Sequence, residues 1–177
     1  MTITVIDDFI PQDLFDEMMD YIPKDIPWEY EDFSVNEDDD VPQFVHLFYQ
    51  QYRPQSEFFD DILPVLECID DLYCIFRVKV NGTMKGDRLK EKPYHIDAED
   101  HDTHIIPPLK ICIIMLNDNN GYTQIKDKSS GTTRLFKSKA NRALFFPNTY
   151  EHMGTNCTDQ NLRMTLNIVY ALSLIHI

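Results

Sequence analysis

Beyond Tyr73 the sequence is a succession of short runs of alternating polarity separated by turn residues, and this pattern limits the fold more than any other feature. In residues 162–170, Leu162, Met164, Leu166 and Ile168 fall on one side, with Arg163, Thr165 and Asn167 opposite. In residues 75–81 the same rule sets Phe76, Val78 and Val80 against Arg77, Lys79 and Asn81. A period of two marks a strand. Strands with one apolar and one polar face belong to antiparallel sheets, one side on a core and the other on a pocket or solvent. Further strands are expected at residues 109–116, 122–126, 133–137 and 142–146. Asn117-Asp118-Asn119-Asn120-Gly121 reads as the turn of a hairpin, and Ser129-Ser130-Gly131 as another turn.

The N-terminal part reads differently. Residues 3–6 form a β-branched strand, and Pro11 opens a helix on which Leu14, Phe15, Met18, Met19 and Ile22 recur at helical spacing. Residues 28–40 are acidic and irregular, and residues 43–50 are strand-like, with His46 inside. Residues 56–69 read as a second helix with Ser56 as N-cap, in which Pro64 calls for a kink or break. Helices first and short strands afterwards give a mainly β, α+β chain: a double-stranded β-helix, or jelly roll, backed by two or three helices.

At 177 residues the chain suits one domain, expected over residues 1–171 with helical support in 1–72 and the jelly-roll core in 73–171. A net charge of −14 argues against nucleic acid as a partner, since phosphate binding relies on Lys and Arg. Cys68, Cys74, Cys112 and Cys157 lack paired metal-ligand spacing, which fits reduced thiols in a cytoplasmic protein. No apolar stretch reaches the ~20 residues of a membrane span. The last six residues, 172–177, can be encoded by CTGTCTCTTATACACATC, a transposon-end adapter used in sequencing libraries. They are read as an adapter-derived tail, and His176 is not counted as a ligand.

Tyr94-His95-Ile96-Asp97 reads as the end of a strand, which puts an imidazole and a carboxylate two residues apart on one face. His152 lies far downstream, before Gly154 and after Phe146-Pro147. Two histidines and one carboxylate with open positions form the facial triad of non-haem Fe(II) oxygenases. Each residue also has an ordinary role: a surface hydrogen-bonded pair for His95 and Asp97, and a salt bridge to one of 30 acids for Arg163. His46 reads as a packed strand histidine. His101 and His104 form a rival pair, but on a loop without strand rigidity, and are read as loop or substrate-side residues.

With these pieces in place, the chain resembles the 2-oxoglutarate and Fe(II)-dependent oxygenases, specifically their prolyl-4-hydroxylase-like branch of bacteria and phages. The resemblance covers roughly residues 73–170. It is carried by Tyr94-His95-Ile96-Asp97, the 116–125 turn region, Arg142-Ala143-Leu144-Phe145-Phe146-Pro147, His152 with Gly154, and Arg163-Met164-Thr165. The family's usual Gly-Gly before the second hairpin strand is Asn120-Gly121 here. The resemblance implies that His95, Asp97 and His152 hold Fe(II) and that Arg163 binds the far carboxylate of the cosubstrate 2-oxoglutarate. Thr165 would bond the same carboxylate; strand alternation, separately from the resemblance, offers Asn81 or Lys79 on the facing strand to complete the pocket. It further implies an O2-dependent hydroxylase releasing succinate and CO2, acting on a peptidyl proline or a small molecule. The alternative is a catalytically silent jelly-roll binding or structural module. Selectivity is assigned to residues 28–40, 98–108 and 127–132; substrate identity and oligomeric state are left open.

Overall fold

The computed structural model describes residues 2–36, 39–98, 108–127 and 130–172, and His101, His104 and the last five residues lie outside these. In chain order the elements are β1 (Thr4–Ile6), α1 (Gln12–Tyr21), β2 (Glu29–Glu31), β3 (Gln43–Gln50), β4 (Arg53–Pro54), α2 (Phe59–Glu67), β5 (Leu72–Met84), β6 (Leu109–Met115), β7 (Tyr122–Asp127), β8 (Thr132–Lys137), β9 (Arg142–Pro147), β10 (His152–Gly154) and β11 (Leu162–Leu172). Most strands join one antiparallel sheet in the order β1-β9-β6-β11-β5-β3-β2, with β4 beside β3. A smaller sheet, β10-β7-β8, covers part of its inner face. This is a mainly β jelly-roll sandwich with two helices. β2, β3 and β4 extend the large sheet, so only α1 and α2 give helical backing to the region before Leu72.

The alternation of β11 decides where the core and the pocket lie. Its outer residues Met164, Leu166, Ile168 and Tyr170 join Val78, Val80, Cys112 and Ile114 under the apolar faces of the helices, which supply Phe15, Met18, Ile62, Val65 and Leu66. Ile62, Val65, Val80, Leu166 and Ile168 are fully buried; each such side chain contributes roughly 1.5–3 kcal/mol of hydrophobic stabilisation. Inside the sandwich, Ile111, Ile113, Leu144, Phe146 and Val169 meet Ile125 and Phe136 of the small sheet. Arg163, Thr165 and Asn167 share that inner face of β11, beyond the apolar cluster, and line a polar pocket.

Four expectations are corrected. Phe76 does not share a face with Val78 and Val80: pairing with β11 slips between Val169 and Tyr170, so Phe76 is the extra residue of a β-bulge and packs with Cys74 on the inner cluster. Residues 117–121 do not make a hairpin, because β6 pairs with β9 and β11 while β7 pairs with β8 and β10. The turn is a corner between sheets. Asn117 holds it by donating to the Leu162 carbonyl and accepting from the Met164 N–H, and Asn119 accepts from the Gly121 N–H. Thirdly, α2 begins at Phe59 and not at Ser56, and it runs through Pro64 without a break. The Ser56 hydroxyl instead accepts from the Phe58 N–H and bonds His46.

The fourth correction concerns the strand expected to end at Asp97. Residues 85–98 form no strand; the stretch meets β10 and the residue after it through isolated bridges, His95 with His152 and Glu91 with Thr155. Lys92 donates to the Gly154 carbonyl and His95 exchanges two bonds with His152, but Pro93 between them has no N–H to give. The segment is therefore a broken fourth member of the small sheet.

Candidate active site

The bridge between His95 and His152 brings two imidazoles from distant parts of the chain together, with ring centroids 4.5 Å apart and planes tilted by 48°. Asp97 closes the group. Its Oδ1 is 3.9 Å from His95 Nε2 and its Oδ2 3.5 Å from His152 Nε2. One donor atom from each of the three lies within 4.8 Å of the others, and no other such group occurs among the described residues. The residues read from the sequence as a metal site thus converge, although their strand is broken.

The donor set fits a divalent metal such as Fe(II). His95 Nδ1 lies 3.2 Å from the Pro93 carbonyl, which can only accept, so the ring proton sits on Nδ1 and Nε2 carries the lone pair. Burial is the main cause that pushes the His152 imidazole down to about 4, with Asp97 opposing, so it is neutral, as a ligand must be. Burial alone would raise Asp97; the Arg77 guanidinium, the two histidines and Asn167 outweigh it and hold the carboxyl well below the usual range. The charged carboxylate is fixed from behind: Arg77 Nη2 donates to Oδ1 at 2.6 Å, and Asn167 Nδ2 donates to Oδ2 at 2.9 Å. A carboxylate offers about four lone-pair positions, so both bonds leave room for a metal.

Arg77 and Asn167 were not singled out from the sequence. The signal was there in part, since alternation places them on the same faces as Asn81 and Arg163, but nothing in it pairs them with Asp97. His46 is on the opposite face of the large sheet; its Nδ1 donates to the Pro27 carbonyl and its Nε2 accepts from Ser56, so its role is structural.

Farther along the pocket, Arg163 is 4% exposed and has no carboxylate within ion-pair distance among the described residues. Its Nε donates to Ser138 Oγ at 3.0 Å and its Nη2 to Thr123 Oγ1 at 2.8 Å. Burial pulls its pKa down to about 10, so it stays charged at neutral pH. In a chain with 30 acidic residues, this buried guanidinium is held by two hydroxyls and meets no carboxylate among the described residues. Two glycines leave it space: a Cβ on Gly121 would stand 2.7 Å from Arg163 Cδ, and one on Gly154 3.2 Å from Nη1. Thr165 and Asn81 face each other across the β11–β5 ladder and both line the pocket. Asn81 Oδ1 is buried with no hydrogen-bond partner. Lys79, Lys92, Gln43, Ser34 and Val35 complete the wall, the last two from the segment expected to confer selectivity.

Neither a family model nor a curated protein matches this chain. Solved structures do. An oxidoreductase of the 2OG-Fe(II) oxygenase family from Burkholderia pseudomallei superposes with a TM-score of 0.70 at 16% identity, over 96% of this chain and 84% of that one. A prolyl-4-hydroxylase from Pseudomonas putida gives 0.67 at 14% identity, over 97% and 92%. The fold is that of the 2-oxoglutarate/Fe(II) oxygenases. A Trichoplax adhaerens prolyl hydroxylase, solved with a hypoxia-inducible-factor peptide, gives 0.69 at 10% identity over 96% and 83%. No described helix is long and apolar enough to cross a membrane.

Proposed function

We propose that the chain is an Fe(II)- and 2-oxoglutarate-dependent dioxygenase that hydroxylates an unactivated C–H bond, releasing succinate and CO2. One observation carries the reading: the His95–Asp97–His152 cluster and an unpaired, buried Arg163 line the same pocket. His95, Asp97 and His152 would hold the metal, and Arg163 the far carboxylate of 2-oxoglutarate, with Thr165 and Asn81 beside it. A guanidinium suits that task because it presents a planar fork of donors and keeps its charge. When bound, iron and 2-oxoglutarate supply, with O2, the oxidising power that the side chains lack.

The chain's own residues do the positioning. Arg77 and Asn167 fix the Asp97 carboxylate from behind, Pro93 sets the tautomer of His95, and Thr123 with Ser138 hold Arg163 straight. Ile113 and Met153 close part of the wall against water. A silent binding module would have no need for a buried, unpaired cation, which costs stability unless an anion joins it. The likeness to prolyl hydroxylases, one solved with a peptide, supports a peptidyl substrate, and a small molecule is the other class to assay. The test is succinate release with Fe(II), 2-oxoglutarate and O2 against proline-containing peptides and a metabolite panel. Stimulation by some member, abolished in His152→Ala, supports the reading; a wild-type protein that forms no succinate under any condition refutes it.

A further inference from the structure

The pocket holds more positive charge than a metal site and one dicarboxylate can use. Four cations line it, Arg77, Lys79, Lys92 and Arg163, against one carboxylate, Asp97. Arg77 is committed to Asp97. In the proposed reaction Arg163 meets the far carboxylate of 2-oxoglutarate and the metal meets its keto acid end. Lys79 and Lys92 are left over.

Neither lysine is an ordinary surface residue. Lys79 projects from the inner face of β5, where its backbone pairs with that of Asn167, the residue that bonds Asp97, so it stands at the metal end of the pocket. Its ammonium makes no hydrogen bond or ion pair with the described residues, and burial followed by the Arg77 charge pushes its pKa down. Lys92 is anchored through its N–H to the Gly154 carbonyl, beside Arg163. Its Nζ donates to Gln43 Oε1 at 3.0 Å, and the Gln43 amide nitrogen passes on to Glu31 Oε2 at 2.8 Å. Burial, then Arg163, lowers it to about 7. The nearby acids are already engaged: Glu31 with Gln43, and Asp39 with the Ser34 and Val41 N–H groups. Lys79 and Lys92 thus bring two desolvated amino groups to one space, and an anion entering there would favour the charged form of both.

We infer that the pocket takes a second anion besides 2-oxoglutarate, and that Lys79 and Lys92 receive a carboxylate carried by the molecule to be oxidised. The inference rests on the function proposed above and narrows its substrate to acidic compounds. The carboxylate can belong to a free acid or to an acidic peptide side chain.

Calorimetric titration separates these sources. Acetyl-glutamate and a tetrapeptide with one central glutamate are each titrated beside their carboxamide counterparts. The protein is used twice, without metal and loaded with Mn(II) and 2-oxoglutarate so that the cosubstrate position is filled. An acid should bind the loaded protein and its amide should not, and Lys79→Gln or Lys92→Gln should each weaken the acid about tenfold or more. Binding of acetyl-glutamate assigns a free acid, and binding of the tetrapeptide alone assigns an acidic peptide. A rise in Tm of both variants on adding Mn(II) and 2-oxoglutarate, equal to that of wild type, reports that the fold and cosubstrate site survive. The inference is overturned if no acid binds the loaded protein, if acid and amide bind alike, or if both glutamine variants bind the acid as wild type does. If Mn(II) and 2-oxoglutarate fail to bind while the metal-free protein takes the acid in a lysine-dependent way, the oxygenase reading falls and the anion site stands.

Discussion

Replacing Arg77 with methionine removes the cation behind the Asp97 carboxylate of the candidate metal site while keeping most of the side chain's volume. The Arg77 and Asp97 side chains are 17% and 7% exposed and their ion pair is 2.6 Å long. Removing one partner of such a pair costs about 3–5 kcal/mol, because the other charge is left buried. Asn167 still serves Oδ2, so the lower end, about 3 kcal/mol, is expected. For a chain of this size that lowers the melting temperature of the metal-free protein by roughly 6–12 °C. A divalent ion replaces the missing cation, so Mn(II) should raise the melting temperature of Arg77→Met by more than it raises wild type. The pH dependence has a definite sign. The folded-state pKa of Asp97 lies below its unfolded value, so the ion pair stabilises fully above about pH 4 and loses this effect as pH falls through the folded value. The difference between variant and wild type in urea melts should therefore be largest at neutral pH and shrink in acid. A variant that melts within about 1 °C of wild type at neutral pH, or gains no more from Mn(II), would refute this account of Arg77.

Three further outcomes follow from the geometry. Arg163→Met should melt no lower than wild type, since it removes an unpaired buried charge, yet weaken 2-oxoglutarate by about tenfold to a hundredfold or more with Mn(II) affinity retained; calorimetry reads both ligands. Gly121→Ala should destabilise by about 2–3 kcal/mol in urea melts, because the added Cβ would stand 2.5 Å from the Asn156 carbonyl oxygen and the backbone must move. The metal-free protein should lose stability as pH falls from about 6.5 toward 4, because the unfolded chain takes up a proton at His152 that the folded chain refuses. His152→Gln should flatten that slope in chemical denaturation.

Much of this fold could be read from period-two alternation: β3 was expected with its observed ends, and β6, β8, β9 and β11 within two residues of theirs. What failed has a common cause. Alternation identifies faces but not partners. It could not show that the chain leaves one sheet for the other at Gly121, since a corner uses the same Asn and Gly residues as a hairpin. Nor could it register the bulge that turns Phe76 inward, because the extra residue is defined only by its neighbour on β11. The sequence singled out His95, Asp97, His152 and Arg163, and the structure brings all four to one pocket; few residue types can hold a metal or a carboxylate, so these stood out. The supporting contacts did not, as Arg77 reaches Asp97 across 20 positions and Asn167 across 70.

The account depends on His95, Asp97 and His152 binding one metal with 2-oxoglutarate alongside. Anaerobic titration of the protein with Fe(II) and 2-oxoglutarate tests this directly. A weak visible charge-transfer band should grow to one equivalent and be absent in His95→Ala, whereas a wild-type protein that stays colourless through the titration would contradict the central claim.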